Sequence, residues 1–226
     1  MTHPTPVRPP LIVPAYFHPG VRPGDWSALA SHAGQVRMVV VNVASGPGTQ
    51  PDAAYEAVVD NLHLAGICVA GYVDTNYGAR PVPDVLADLA RHRDWYGGHA
   101  VFFDRVATEA DRLAHYAALS RAARALDLAT IAFNHGAAPA QGYLEHADLL
   151  GTFEGPWDAY VELLIPRWAR GRDGDRLFHL VHSVPPGLIS TAWDLAVQRN
   201  VGCAYITAET GANPWRRLCA GAAQGW

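Results

Sequence analysis

The chain has 226 residues, of which 50% are hydrophobic and 17% are charged, and this is enough apolar material for one large core. All 17 basic residues are arginine, which excludes enzymes that need a lysine amine: Schiff-base aldolases, pyridoxal-phosphate enzymes and Walker-type nucleotide-binding proteins. The net charge of −4 comes without a basic run, which argues against a nucleic-acid partner, and no run of roughly 18 apolar residues predicts a membrane span.

The first ten residues, MTHPTPVRPP, form a proline-rich segment that we expect to precede a single domain over residues 11–226. They lack the charged and then apolar layout of a signal peptide, which predicts a cytoplasmic protein. The alternative is a secreted protein whose leader has been removed. The sequence leaves the oligomeric state open.

Short apolar runs recur along the chain, and turn residues bound each of them. The runs are Leu11–Phe17, Val36–Val43, Ile67–Thr75, His99–Val106, Leu128–His135, Leu149–Glu154, Arg176–Ser183 and Val201–Thr207. Segments with helical spacing lie between some of them, at Pro51–Ala65, Asp84–Tyr96 and Ala110–Leu126. Nearly all-apolar strands that alternate with helices indicate a parallel sheet covered on both faces. Eight such units predict an α/β fold, a compact (β/α)8 TIM-type barrel. A doubly wound open sheet is the alternative, disfavoured because no GxGxxG follows the first run.

Polar side chains end most of these runs: Asn42, Asp74, Asp104, Asn134, Glu154, His182 and Thr207. The carboxyl ends of the strands of a (β/α)8 barrel meet on one face, where active sites form, so we expect a site there. Asp104 and Glu154 end the fourth and sixth runs, and two facing carboxylates can divide the acid and nucleophile roles of glycoside cleavage. Aromatic residues, whose flat faces suit sugar rings, cluster near the same ends: Tyr16, Tyr77, Trp95, Tyr96 and Trp157.

The alternation of side chains along a strand predicts which of these residues share a face. Asp104 shares its face with Phe102, and Arg105 lies on the opposite face. Glu154 shares its face with Thr152.

A metal site is the weaker interpretation. His135, His182 and Asp74 are ligand types at strand ends, and a metal-dependent hydrolase built on them stays an alternative. His179 and His182 are three residues apart on one strand and so point to opposite faces, which disfavours a shared metal. We therefore expect a site that uses no metal and no other cofactor.

Seven segments are more distinctive than the rest of the sequence. They are LIVPAYFHPG (11–20), VVNVASGPG (40–48), AGICVAGYVDTNYGARP (65–81), WYGGHAVFFD (95–104), FNHG (133–136), YLEHADLLGTFEG (143–155) and YITAETGANPWRRL (205–218). In this order they resemble the spherulin-4-like proteins, also called spherulation-specific family 4.

The resemblance implies a (β/α)8 barrel that cleaves polysaccharide, because characterised relatives are fungal endo-α-1,4-N-acetylgalactosaminidases. It implies that Asp104 and Glu154 are the catalytic residues, and that Asp74, Tyr77 and Arg80 lie in a loop that contacts the substrate. The further substrate-binding residues that we predict are Tyr16, Asn42, Arg105, Asn134, His182 and Thr207.

One position departs from the family pattern, which usually has an Asp-Glu pair where this chain has Asp104 and Arg105. An arginine beside Asp104 is expected to favour its ionised form, which suits a nucleophile. The guanidinium is also able to pair with an anionic sugar. The leading hypothesis is a retaining glycoside hydrolase that cuts an oligosaccharide or polysaccharide with α-linked galactosamine units. The alternative is a carbohydrate-binding barrel that has lost catalysis because of Arg105.

Overall fold

The computed structural model describes residues 8–170 and 172–219, so the first seven residues of the proline-rich segment lie outside the described residues. Parallel strands pair in chain order and close into a barrel, which confirms the (β/α)8 prediction. The strands are β1 (Leu11–Ala15), β2 (Val36–Val41), β3 (Cys68–Asp74), β4 (Ala100–Asp104), β5 (Thr130–Asn134), β6 (Leu149–Pro156), β7 (Leu177–His182) and β8 (Cys203–Ile206). Each lies within its predicted run except β6, which continues two residues beyond Glu154.

Within the described residues the α-helices are α1 (Pro23–Ser31), α2 (Ala53–Leu64), α3 (Val82–Tyr96), α4 (Leu113–Ala125), α5 (Trp157–Val161) and α6 (Ile189–Gln198). The first two predicted helical segments correspond to α2 and α3, and the third divides into a 3-10 turn, Ala110–Arg112, followed by α4. The connection from β5 to β6 contains a short 3-10 turn, Gln141–Glu145, in place of an α-helix. No helix in the described part of the chain is long and apolar enough to cross a bilayer.

The barrel interior is a packed core below its open end. Phe102 of β4 and Phe178 of β7 meet inside it with 5.7 Å between their ring centroids, and both are fully buried. On the outer side of β3, Gly71 lies directly under His92 of α3. Because apolar side chains fill the interior, polar groups at the strand ends are left to form the mouth.

A β-bulge in β6 sets the direction of its last residues. Gly151 and Phe153 pair with consecutive residues of β7, so the register shifts by one residue between them. Thr152 contacts His179 at 3.0 Å, and His179 in turn bonds to α5 on the outer side. Glu154 instead enters the mouth. The prediction that Glu154 shares a face with Thr152 is wrong, because the bulge reverses the alternation between them.

Gly71→Ala is expected to lower the free energy of unfolding by about 1–3 kcal/mol, the usual range for overpacking a core. A Cβ at this position would lie 2.3 Å from Cγ of His92, whose Nε2 is fixed at 2.8 Å from the carbonyl oxygen of Tyr72. Gly34→Ala is the control, since a Cβ there meets nothing within 4 Å. Urea denaturation should give a lower midpoint for the first variant only. Equal midpoints would contradict the packing argument.

Candidate active site

A cavity of about 490 Å³ opens at the carboxyl ends of the strands, a size typical of ligand sites. The predicted site residues that line it are Tyr77, Asp104, Arg105, Asn134, Glu154 and His182. His135, Gly136, Gly155 and Pro156 complete the lining. The structure therefore brings both predicted catalytic carboxylates to one cavity.

A single amide group joins the two carboxylates. Nδ2 of Asn134 donates to Oδ1 of Asp104 at 2.7 Å and to Oε2 of Glu154 at 2.5 Å, so these two oxygens lie at most about 5.2 Å apart. The hydroxyl of Tyr72 donates to Oδ2 of Asp104 at 2.8 Å, and Nε1 of Trp215 donates to Oε1 of Glu154 at 3.3 Å. Both oxygens of each carboxylate thus accept a hydrogen bond.

The two carboxyl groups differ in their tendency to ionise. Burial and the negative charge of Asp104 raise the pKa of Glu154 to about 7, against an ordinary value of 4.5. Burial also raises the pKa of Asp104, but hydrogen bonds from Tyr72 and Asn134 oppose this rise by stabilising the anion. Near neutral pH, Glu154 is therefore suited to carry a proton and Asp104 to carry the charge.

Tyr16 lies beside this pair, although it is not part of the cavity lining. Burial and the charges of Asp104 and Glu154 raise the pKa of Tyr16 well above its ordinary value, so its phenol stays neutral. Its ring packs edge-on against the ring of Tyr72, with 5.5 Å between the centroids. Tyr16 thus packs against a residue that contacts Asp104 directly.

Arg105 lies at the mouth and not on the opposite face. The prediction from strand alternation is wrong because β4 ends at Asp104 and Arg105 takes a left-handed φ of 49°. Its Nε and Nη2 donate to the two oxygens of Asp74 at 2.8 and 2.9 Å, so the charge of the guanidinium is paired with that of the carboxylate. Arg105 opposes the rise in the pKa of Asp104 through its backbone N–H and not through its side chain.

Three predicted substrate-binding residues lie away from the cavity lining and bond within the protein. Asn42 accepts a hydrogen bond from the backbone N–H of Gly46 at 2.9 Å, within its own loop. Arg80 donates to the carboxylate of Asp88 in α3 at 2.5 Å. Thr207 is buried, and its hydroxyl accepts from the backbone N–H two residues further on. Each of these side chains holds a loop or the start of a helix in place.

The residues considered for a metal site have separate partners. Nδ1 of His135 lies 2.8 Å from the carbonyl oxygen of Ala107, and Nδ1 of His182 lies 2.9 Å from the hydroxyl of Ser183. Asp74 is paired with an arginine, as described above. Among residues 8–170 and 172–219, no three His, Cys, Asp or Glu side chains are arranged to hold a metal ion.

Comparison with known proteins identifies the family. The profile of Spherulation-specific family 4 matches residues 10–224. The chain belongs to this family. Spherulin-4 of Physarum polycephalum is 32% identical over 149 residues, which make up 64% of this chain but only 44% of Spherulin-4. The crystal structure of Aspergillus clavatus Sph3 in complex with GalNAc superimposes with a TM-score of 0.81 at 25% identity, covering 96% of this chain and 95% of Sph3.

Two residues that donate hydrogen bonds to Asp104 and Glu154, Tyr72 and Trp215, were not among the predicted site residues. Tyr72 lies two residues before Asp74 on β3, so strand alternation alone places it on the same face. Trp215 comes from the segment after β8 and also packs edge-on against His182, with 5.7 Å between the ring centroids. Its approach depends on how that segment folds back over the mouth, which no local pattern predicts.

Glu154→Gln is expected to change how stability depends on pH. The folded chain keeps the Glu154 proton between pH 4.5 and about 7, where the unfolded chain has lost it. The free energy of unfolding of the wild type should therefore fall as pH rises through this window, by up to about 3 kcal/mol. The variant should lose less stability over the same window, as measured by urea denaturation at each pH. Glu145→Gln, at an exposed turn residue, should follow the wild type. Parallel curves for all three proteins would refute the raised pKa.

Proposed function

We propose that this protein is a glycoside hydrolase that cuts within an α-linked polysaccharide containing galactosamine or N-acetylgalactosamine. The observation that carries the proposal is the pair of half-buried carboxylates, Asp104 and Glu154, bridged by one amide at the barrel mouth. Membership of Spherulation-specific family 4 and the complex of Sph3 with GalNAc support a sugar of this class.

The geometry favours a retaining mechanism. Retaining enzymes hold their two carboxyl groups about 5–5.5 Å apart, and inverting enzymes hold them roughly 6.5–9.5 Å apart. The shared contact with Asn134 keeps the nearer oxygens of Asp104 and Glu154 within about 5.2 Å, which fits the shorter spacing. Glu154 protonates the glycosidic oxygen while Asp104 attacks the anomeric carbon. Glu154 then takes a proton from the water that attacks the anomeric carbon, which breaks the ester bond to Asp104 and releases the sugar.

Asn134 suits both steps of this mechanism. When the first step occurs, Glu154 loses its proton and Asp104 loses its charge as its ester bond forms. One negative charge therefore moves from one carboxyl group to the other. Because Nδ2 of Asn134 donates to both groups, it stabilises this charge at either position without a change of partner.

A second function is favoured by one observation, the arginine at position 105. In the family pattern this position carries a second acid. In this chain the side chain of Arg105 forms an ion pair with Asp74. A barrel that needs that acid for cleavage would bind oligosaccharide without cutting it. The two functions differ in a direct experiment, because only the hydrolase shortens the polymer.

Incubation with α-1,4-galactosaminoglycan, in acetylated and deacetylated forms, followed by mass analysis should reveal shortened chains for the wild type. Asp104→Ala and Glu154→Gln should each lower the rate by about 10²–10⁴-fold or more, because each removes a group needed for bond cleavage. Glu145→Gln should cleave like the wild type, and circular dichroism should establish that all variants are folded. Binding without any product after long incubation would reject the hydrolase in favour of the binding barrel.

A retaining route also predicts the behaviour of an added nucleophile. Azide is expected to restore bond cleavage to Asp104→Ala, because a small anion can enter the space left by the carboxylate and attack the anomeric carbon. The product should be a glycosyl azide of the anomeric configuration opposite to that of the substrate, identified by nuclear magnetic resonance. Rescue at Glu154→Gln alone, or a first product of inverted configuration from the wild type, would assign the roles differently.

A further inference from the structure

The turn after β3 has an unusual backbone. Asn76, Tyr77 and Gly78 take φ values of 47°, 56° and 80°, so three consecutive residues are left-handed, and Arg105 after β4 is left-handed as well. For residues other than glycine this conformation is unfavourable and persists only where surrounding contacts enforce it. Strain of this kind concentrates at functional sites, so the contacts that enforce it are informative.

Arg105 contacts this turn through both its side chain and its backbone carbonyl. Its guanidinium bonds to both oxygens of Asp74 and, through Nη2, to Oδ1 of Asn76 at 2.7 Å. Its carbonyl oxygen accepts the backbone N–H of Tyr77 at 2.6 Å and the hydroxyl of Thr75 at 2.8 Å. One residue therefore holds the start and the middle of the turn.

The turn presents an aromatic ring to the cavity. Tyr77 lines the cavity and is 54% exposed, which is far more than the aromatic residues of the core. The guanidinium carbon of Arg105 lies 5.6 Å from the centroid of this ring, within the range of a cation–π contact. An exposed aromatic face beside polar groups suits the apolar face of a sugar ring.

We propose that Arg105 is a positioning residue for substrate binding, which fixes the Tyr77 ring as the wall of the cavity against which a sugar unit stacks. This inference rests on the proposed function, since it needs a carbohydrate in the cavity. On this inference Arg105, which stands where the family pattern has glutamate, serves sugar binding rather than proton transfer. The competing role is direct contact of the guanidinium with the sugar, and the experiment below separates the two.

A double-mutant cycle tests whether Arg105 acts through Tyr77. The proteins are the wild type, Arg105→Gln, Tyr77→Leu and the double variant, with an α-1,4-linked N-acetylgalactosamine oligosaccharide as the probe. We expect each single variant to raise KM by about 10-fold and to keep kcat within about threefold of the wild type, because only sugar stacking is lost. The double variant should be no worse than the worse single variant. Arg105→Lys should not restore KM, because an ammonium cannot form the two parallel bonds to Asp74.

Amide hydrogen exchange gives a second readout that does not depend on the probe. The N–H of Tyr77 should exchange at least about 10-fold faster in Arg105→Gln and in Asp74→Asn than in the wild type, because the side-chain bonds that hold the turn in its left-handed conformation are lost and only the backbone bond to the Arg105 carbonyl remains. Arg121→Gln, an exposed residue of α4, is the matched control and should change neither exchange nor kinetics.

Three results would overturn the inference while leaving the proposed function intact. They are additive effects in the cycle, a loss in kcat at unchanged KM, and wild-type exchange at Tyr77 in the Arg105 variant. Additive effects would support direct contact between the guanidinium and the substrate. A wild type that neither cleaves nor binds the probe would overturn the proposed function, and the role in sugar binding with it.

Discussion

The candidate site depends on one interaction, the contact of a neutral amide with two half-buried carboxylates. Without donors, two acids this close and this buried would repel each other and resist ionisation. Asn134 supplies two N–H groups and no charge, so it keeps the acids together without neutralising either. The remaining donors make the pair unequal. Asp104 receives a phenol at 2.8 Å, whereas Glu154 receives an indole at 3.3 Å, and the pKa of Glu154 is raised to about 7, so Glu154 is the acid suited to carry a proton near neutral pH.

The backbone of β6 is arranged to allow this contact. Asn134 and Gly151 are directly paired on neighbouring strands, and a Cβ at position 151 would lie 2.5 Å from both Oδ1 of Asn134 and Cζ of Phe178. A glycine at 151 therefore makes room for the amide above the core. The bulge that follows then turns Glu154 toward the same amide. The glycine at 151 and the register shift in β6 thus both allow the contact between Asn134 and Glu154.

Much of the fold and part of the site followed from the sequence, because both depend on repeated local patterns. Apolar runs predicted all eight strands, and the polar residues at most of the strand ends predicted the mouth, with Asp104 and Glu154 in it. The errors fall where a local irregularity replaces the pattern. The bulge in β6 and the left-handed Arg105 each reverse an alternation that the residue types alone do not reveal. Trp215 was missed because its contact with Glu154 joins residues 61 positions apart in the chain.

On the proposed mechanism, the arginine at position 105 changes the charge of the mouth and leaves both catalytic carboxylates in place. Asp74 raises the pKa of Asp104 by repulsion, and a further acid next to it would add to this effect. In this chain both oxygens of Asp74 are paired with Arg105, whose guanidinium also bonds to Asn76. The pKa values of Asp104 and Glu154 are set first by burial, and the hydrogen bonds from their own donors oppose this rise. On the proposed mechanism, the exchange of glutamate for arginine leaves the cleavage step to the same two residues, and it alters the surface that meets the neighbouring sugar units.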